Sequence, residues 1–151
     1  MRKLVSFLLI LIFTATSLFS CTEKADAYQL LSEFVKVYGA DGVIYSPEIS
    51  EGEPGYISNG MIEKIYVFSG DFPANYAIFL NSRLDDFSEC GVFICNSSDS
   101  LAMTQEMCLE RIKLLSNGGE HAFVKVHRMT VFYSTMQDRN RAERIWREII
   151  S

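Results

Sequence analysis

Hydrophobic and polar positions along this chain change period several times, and each change marks an element. Over residues 25–38, Leu30, Leu31, Phe34, Val35 and Tyr38 recur at three- and four-residue spacing. That is the period of a helix with one buried face, and Gly39 supplies its stop. Residues 42–45 are a short extended candidate, followed at 47–55 by a loop of prolines, glycines and glutamates. Over 56–68, Ile57, Met61, Ile62, Ile65 and Tyr66 suit a helical face, although Asn59-Gly60 weakens its start. In the second half, Tyr76, Ile78 and Leu80 alternate with Ala77 and Phe79, and residues 75–81 and 89–95 read as two strands joined by the polar stretch 82–86. They should pair antiparallel.

Asn96-Ser97-Ser98-Asp99 then offers helix caps, and Leu101, Cys108, Ile112 and Leu115 form one face up to Asn117-Gly118-Gly119. Residues 122–126 and 130–134 predict two more strands around His127-Arg128-Met129. The last helix opens at Thr135-Met136-Gln137-Asp138, a capping-box spacing with Asp in place of the usual Glu or Gln. It runs to Ile150 with Ala142, Ile145, Trp146, Ile149 and Ile150 on one face. The order predicts an α+β fold: a four-stranded antiparallel sheet, a ββαββα core with helices packed on one face, preceded by an N-terminal helix.

The start of the chain departs from this amphipathic pattern. Arg2 and Lys3 lead into an apolar run at residues 4–13, extended with interruptions to Phe19. This is shorter than the roughly twenty residues a bilayer span needs and fits the core of an export signal. Leu18-Phe19-Ser20-Cys21 resembles a lipobox, in which the chain is cut between Ser20 and Cys21 once the cysteine is diacylated. Phe19 stands where a small residue is usual. An uncleaved N-terminal anchor, or an ordinary signal with an unrelated cysteine, would equally keep the domain outside the cytoplasm. The organisation expected is a signal peptide at 1–20, a short tether at 21–24 and a single α+β domain at 25–151. A tether of about 14 Å would hold that domain close to the membrane.

Composition narrows the function. Losing Arg2 and Lys3 leaves 12 of the 14 Lys and Arg against 19 Asp and Glu, a formal charge of −7 compared with −5 for the full chain. Such a balance argues against nucleic acid, whose binding depends on neutralising phosphates. With Cys21 acylated, Cys90, Cys95 and Cys108 remain, an odd set that cannot all pair in one molecule. Cys90 and Cys95 lie five residues apart along a strand, about 16 Å, so they pair only if the chain bends sharply there, and small buried apolar side chains are the commoner reading. Cys95 with Cys108 is the pairing the layout allows.

Residues 76–80, then Glu89-Cys90-Gly91-Val92-Phe93, a helix, Val131-Phe132-Tyr133 and a closing helix together resemble the small bacterial lipoproteins of the family "domain of unknown function 4358". In that family a Tyr-Ala-Val-Tyr-like strand precedes a Glu-Ile-Ala-Val-Phe-like strand. The resemblance covers roughly residues 60–150, with a shortened connection at Asn117-Gly118-Gly119-Glu120. It implies an exported α+β domain and no catalytic residue.

Candidate chemistry is sparse. His121 and His127 have no Cys, Asp or Glu at ligand spacing, the acidic loop at 47–55 lacks the order of a calcium loop, and no nucleophile elbow or phosphate-binding glycine loop occurs. No cofactor or metal is expected. On the last helix Arg139, Arg141, Arg144 and Arg147 form a basic stripe that could touch anionic headgroups near a bilayer, but Glu143–Arg147 and Arg144–Glu148 pairs at four-residue spacing would account for much of it, which favours a solvated face. The reading is a membrane-anchored extracytoplasmic lipoprotein, attached through its N-terminal lipid and acting as an interaction or binding module with an envelope partner. The alternative is an exported enzyme or thiol redox protein using Cys90, Cys95 or His127.

Overall fold

In the computed structural model, residues 26–68, 72–83, 88–116 and 119–151 are described. Ser20 and Cys21, and with them the signal and tether, lie outside the described residues. The elements run α1 (Ala27–Tyr38), β1 (Gly42–Tyr45), α2 (Asn59–Ile65), β2 (Asn75–Asn81), β3 (Glu89–Ile94), α3 (Ser98–Ser116), β4 (Phe123–His127), β5 (Thr130–Ser134) and α4 (Arg139–Ile150). No described helix is long and apolar enough to cross a membrane.

The α+β class is as expected, and the architecture differs from the expectation in two respects. The sheet has five strands, in the order β1-β2-β3-β5-β4 with every pairing antiparallel. The fifth is the short 42–45 segment, which adds to the free edge of β2 with Gly42 opposite Asn81 and Tyr45 opposite Ile78. Helices also cover both faces of the sheet, not one. Side chains alternate across a strand, and here both alternating sets are apolar. Ala77, Phe79, Cys90, Val92 and Phe132 join Leu31 and Phe34 of α1 and Ala142, Ile145 and Trp146 of α4 in one core. Tyr76, Ile78, Phe93, Val131 and Tyr133 join Ile62 of α2 and Met107 and Cys108 of α3 in another. A strand such as β5, buried at all five positions, leaves neither face to water.

Local chemistry accounts for the ends of these elements. Asp26 caps α1 by accepting from the Tyr28 N–H at 2.9 Å. Gly39 ends the helix at φ 73°, a left-handed conformation that glycine adopts without steric cost. Ser97 accepts from the Ser100 N–H at 3.1 Å at the start of α3. The capping box expected at Thr135 does not form: Asp138 is itself the cap of α4 and accepts from the Arg141 N–H at 3.0 Å. The Thr135 hydroxyl instead accepts from the Glu89 N–H at 2.8 Å.

Candidate functional site

Glu89 opens β3 on the face covered by α3, and only 3% of it is exposed. An isolated carboxylate there would be costly, and the side chains of Arg111 and Tyr133 compensate it. Thr104, Cys108 and Arg111 recur at helical spacing along the inner side of α3, which aims Arg111 at the start of β3. Its Nε donates to Glu89 Oε1 and its Nη2 to Oε2, both at 2.8 Å, a bidentate fork. The Tyr133 hydroxyl on β5 donates to the same Oε1 at 2.6 Å. Tyr66, just past α2, hydrogen-bonds the Tyr133 hydroxyl in turn.

The backbone holds this group in register. Thr135 N–H donates to the Glu89 carbonyl at 2.9 Å, and the strand pairing sets Gly91 opposite Tyr133. Gly91 leaves room for the ring, since a Cβ there would come within 2.6 Å of Tyr133 Cε1. Burial, joined by the Glu89 charge, pushes the Tyr66 and Tyr133 hydroxyls well above their usual range, so both remain neutral. Burial pulls the Arg111 guanidinium down, but the Glu89 bonds and charge outweigh it and hold Arg111 above its ordinary value. Among the described residues no buried side-chain polar atom lacks a hydrogen-bond partner. Both carboxylate oxygens are occupied, which makes the group a clasp and not an open catalytic centre.

What the clasp positions is the outer surface between α2 and α3. Arg111 lies 5.3 Å from the centre of the Tyr66 ring and reaches the Ile65 carbonyl at 3.5 Å, tying the end of α2 to α3. The Tyr76 hydroxyl donates to Asn59 Oδ1 at 3.0 Å and holds the other end of α2. Above them lie two clefts of about 240 and 270 Å³ that share Val67, Met107 and Glu110 and so form one groove. Its walls are Ile65, Tyr66, Val67, Phe68, Met103, Met107 and Leu114, with the carboxylates Glu106 and Glu110 at its rim. Val67 is 85% and Leu114 67% exposed, so large apolar side chains here face water. A separate cleft of about 480 Å³ lies at the start of α3, between Phe72, Asn75, Cys95, Ser97 and Met103.

The residues singled out for thiol chemistry are not brought together. Cys90, Cys95 and Cys108 are buried and free, so the Cys95–Cys108 disulfide allowed by the layout is absent. Cys95 donates instead to the Thr104 hydroxyl at 3.5 Å. Burial above all pushes the Cys90 and Cys108 thiols well up, away from the nucleophilic thiolate. His127 pairs with Thr130, on the face opposite Cys95. Cys90 pairs with Ser134 at the far end of β5, two strands across and four residues along from His127, about 16 Å between Cα atoms. Accordingly, thiol reagents should modify none of the three in the native protein, with rates at least about a thousandfold below those in denaturant. Mass spectrometry of alkylated native and unfolded samples reads this directly; one thiol labelled in the native state would reopen the redox reading.

Sequence reasoning passed over Glu89 and Arg111, although each carried a signal. A glutamate heading the run Cys90-Gly91-Val92-Phe93-Ile94, and an arginine on the inner stripe of a helix, are each out of place in an apolar layer. Only the fold shows that they meet. No protein-family model, curated protein or solved structure matches the chain.

Proposed function

We propose that this protein is a lipoprotein anchored outside the cytoplasm, where it works as an interaction module that binds an amphipathic segment of an envelope partner in the α2–α3 groove. The observation that carries the binding role is the groove itself, with exposed apolar walls, an acidic rim and a floor pinned by the Glu89 clasp. Glu106 and Glu110 favour a segment bearing Lys or Arg beside its apolar face. The address rests on the charged start, the apolar run and Leu18-Phe19-Ser20-Cys21. The resemblance of residues 60–150 to small exported lipoproteins agrees with that address.

Cross-linking on intact producing cells, followed by affinity recovery and mass spectrometry, tests both parts. The native chain should yield a partner that a Cys21→Ala chain does not. Val67→Asp with Leu114→Asp should reduce its recovery by about tenfold or more while leaving the melting temperature within a few degrees, because both side chains are exposed. Undiminished recovery with the groove variant would move the binding surface elsewhere.

A further inference from the structure

The α1–α4 layer carries a second surface, and the fold decides which of its charges are available. Along α4, Glu143 does not pair with Arg147 as the spacing suggests. It accepts from Arg139 at 2.9 Å and meets Lys125 of β4 at 3.3 Å. Burial pushes the Glu143 carboxyl up, but these two cations more than offset it and hold it below its usual range. Arg139 also donates to the Glu120 carbonyl at 2.9 Å and packs over Phe123. The Arg141 guanidinium lies 5.0 Å from the Tyr38 ring centre and reaches the Val37 carbonyl. Arg144 and Arg147 are left exposed, and among the described residues neither has an ion pair or hydrogen bond through its guanidinium. With Asn140 and Ser151 they make up the outermost face of the helix; Glu148 flanks it on α4, and exposed Glu33 and Lys36, of opposite charge, lie on the outer side of α1.

The sheet locates this face relative to the tether. The Ala27 N–H bonds Asn75 Oδ1 at the first residue of β2, which the strand register aligns with Ile94, Thr130 and His127. α1 therefore begins at that end of the sheet. α4 begins at the other end, where Arg139 reaches the Glu120 carbonyl just before β4, and where Tyr38 at the end of α1 accepts from the Asp138 N–H. It runs back antiparallel to α1, so Arg147 and the C-terminus finish beside the start of α1. From Cys21 to Asp26 an extended chain reaches at most about 18 Å.

We infer that Arg144 and Arg147 contact anionic lipid headgroups, laying the α1–α4 layer on the bilayer and turning the α3 groove away from it. This arrangement rests on the lipid-anchor reading above. The anchor supplies attachment, and the two arginines supply orientation. Contacts of basic side chains with anionic headgroups are individually weak and screened by salt. Together they should favour the lying orientation by about tenfold.

The test uses the lipidated full-length protein in phosphatidylcholine vesicles with and without phosphatidylglycerol. The native thiols are buried, so Asn140→Cys accepts a fluorophore selectively, and brominated lipids quench it on contact with the bilayer. Quenching should be strong only with phosphatidylglycerol, and should fall to the phosphatidylcholine level at high salt or in the R144Q/R147Q variant, whose melting temperature should match the parent. Equal quenching in both vesicles, no quenching in either, or quenching unchanged by the double variant would overturn the orientation. A purified chain whose mass lacks the lipid would overturn the anchor first, and so separates the two readings.

Discussion

Replacing Arg111 with Met is expected to destabilise the domain by about 3–5 kcal/mol, the range for removing one partner of a buried ion pair. The substitution leaves Glu89 buried on a face it shares with Phe93 and Tyr133, with one phenol donating to an oxygen that previously accepted two bonds. Arg111 opens partly to the groove, with 19% of its side chain exposed, and water entering there would bring the loss toward the lower end. A combined Glu89→Leu and Arg111→Met change should cost less than Arg111→Met alone, because it leaves no uncompensated charge. Urea denaturation of the single variants and the pair measures this coupling. If the costs simply add, the pair is not a clasp. The single variant should also weaken partner recovery through the groove, since it frees the Ile65–Tyr66 end of α2.

On the other face, Phe132→Ala should cost a similar amount, about 3–5 kcal/mol, by a different route. Phe132 is fully buried, stacked on Trp146 with ring centres 4.2 Å apart and 12° between planes, and tilted against Phe34 at 4.9 Å and Phe123 at 5.8 Å. One ring thus joins α1, α4, β4 and β5. Truncation opens a cavity with four elements around it, and those elements are tied into the sheet and so cannot close far into the space. Trp146 is the single tryptophan of the chain, so its emission reports the same event. A red shift in the native state, together with a lowered denaturation midpoint, is the expected pair of readings. A loss below about 1 kcal/mol would mean that the layer repacks around the gap.

Much of the fold was legible because helix periods are written plainly where one face of a helix meets water, and because polar or glycine-bearing stretches bracket the apolar strand runs. The bounds of β2 and β5 came out as read, and α1, α3 and α4 lie within a few residues of the positions expected. Three things were hidden, each for a physical reason. The 42–45 segment is too short for alternation to declare it a strand, and its identity comes from pairing with β2, whose partner residues lie from 33 (Tyr45–Ile78) to 39 (Gly42–Asn81) residues further along the chain. The second helical layer was missed because β5 reads as a continuous apolar run, which signals two-sided burial only once it is known to lie inside the sheet. Glu143 reads from the sequence as the partner of Arg147, whereas it pairs with Arg139, four residues before it, and with Lys125 of the neighbouring strand, a partner that helix spacing cannot show. The clasp illustrates the same point from the functional side. Glu89 and Arg111 are 22 residues apart, and Tyr133 a further 22 on, so no local pattern links them.

The place of β5 in the sheet also sets the order in which the chain becomes whole. Thr130–Ser134 is inserted between β3 and β4, yet it follows both of them in the chain. Until it emerges, β4 has no neighbour, β3 has an open edge and Glu89 lacks its phenol. Trp146 and Ile145, needed to close the layer with α1, arrive later still. Long-range pairing of this kind is slow to nucleate. A growing chain that stops short of β5 and α4 therefore has no complete core on either face of the sheet.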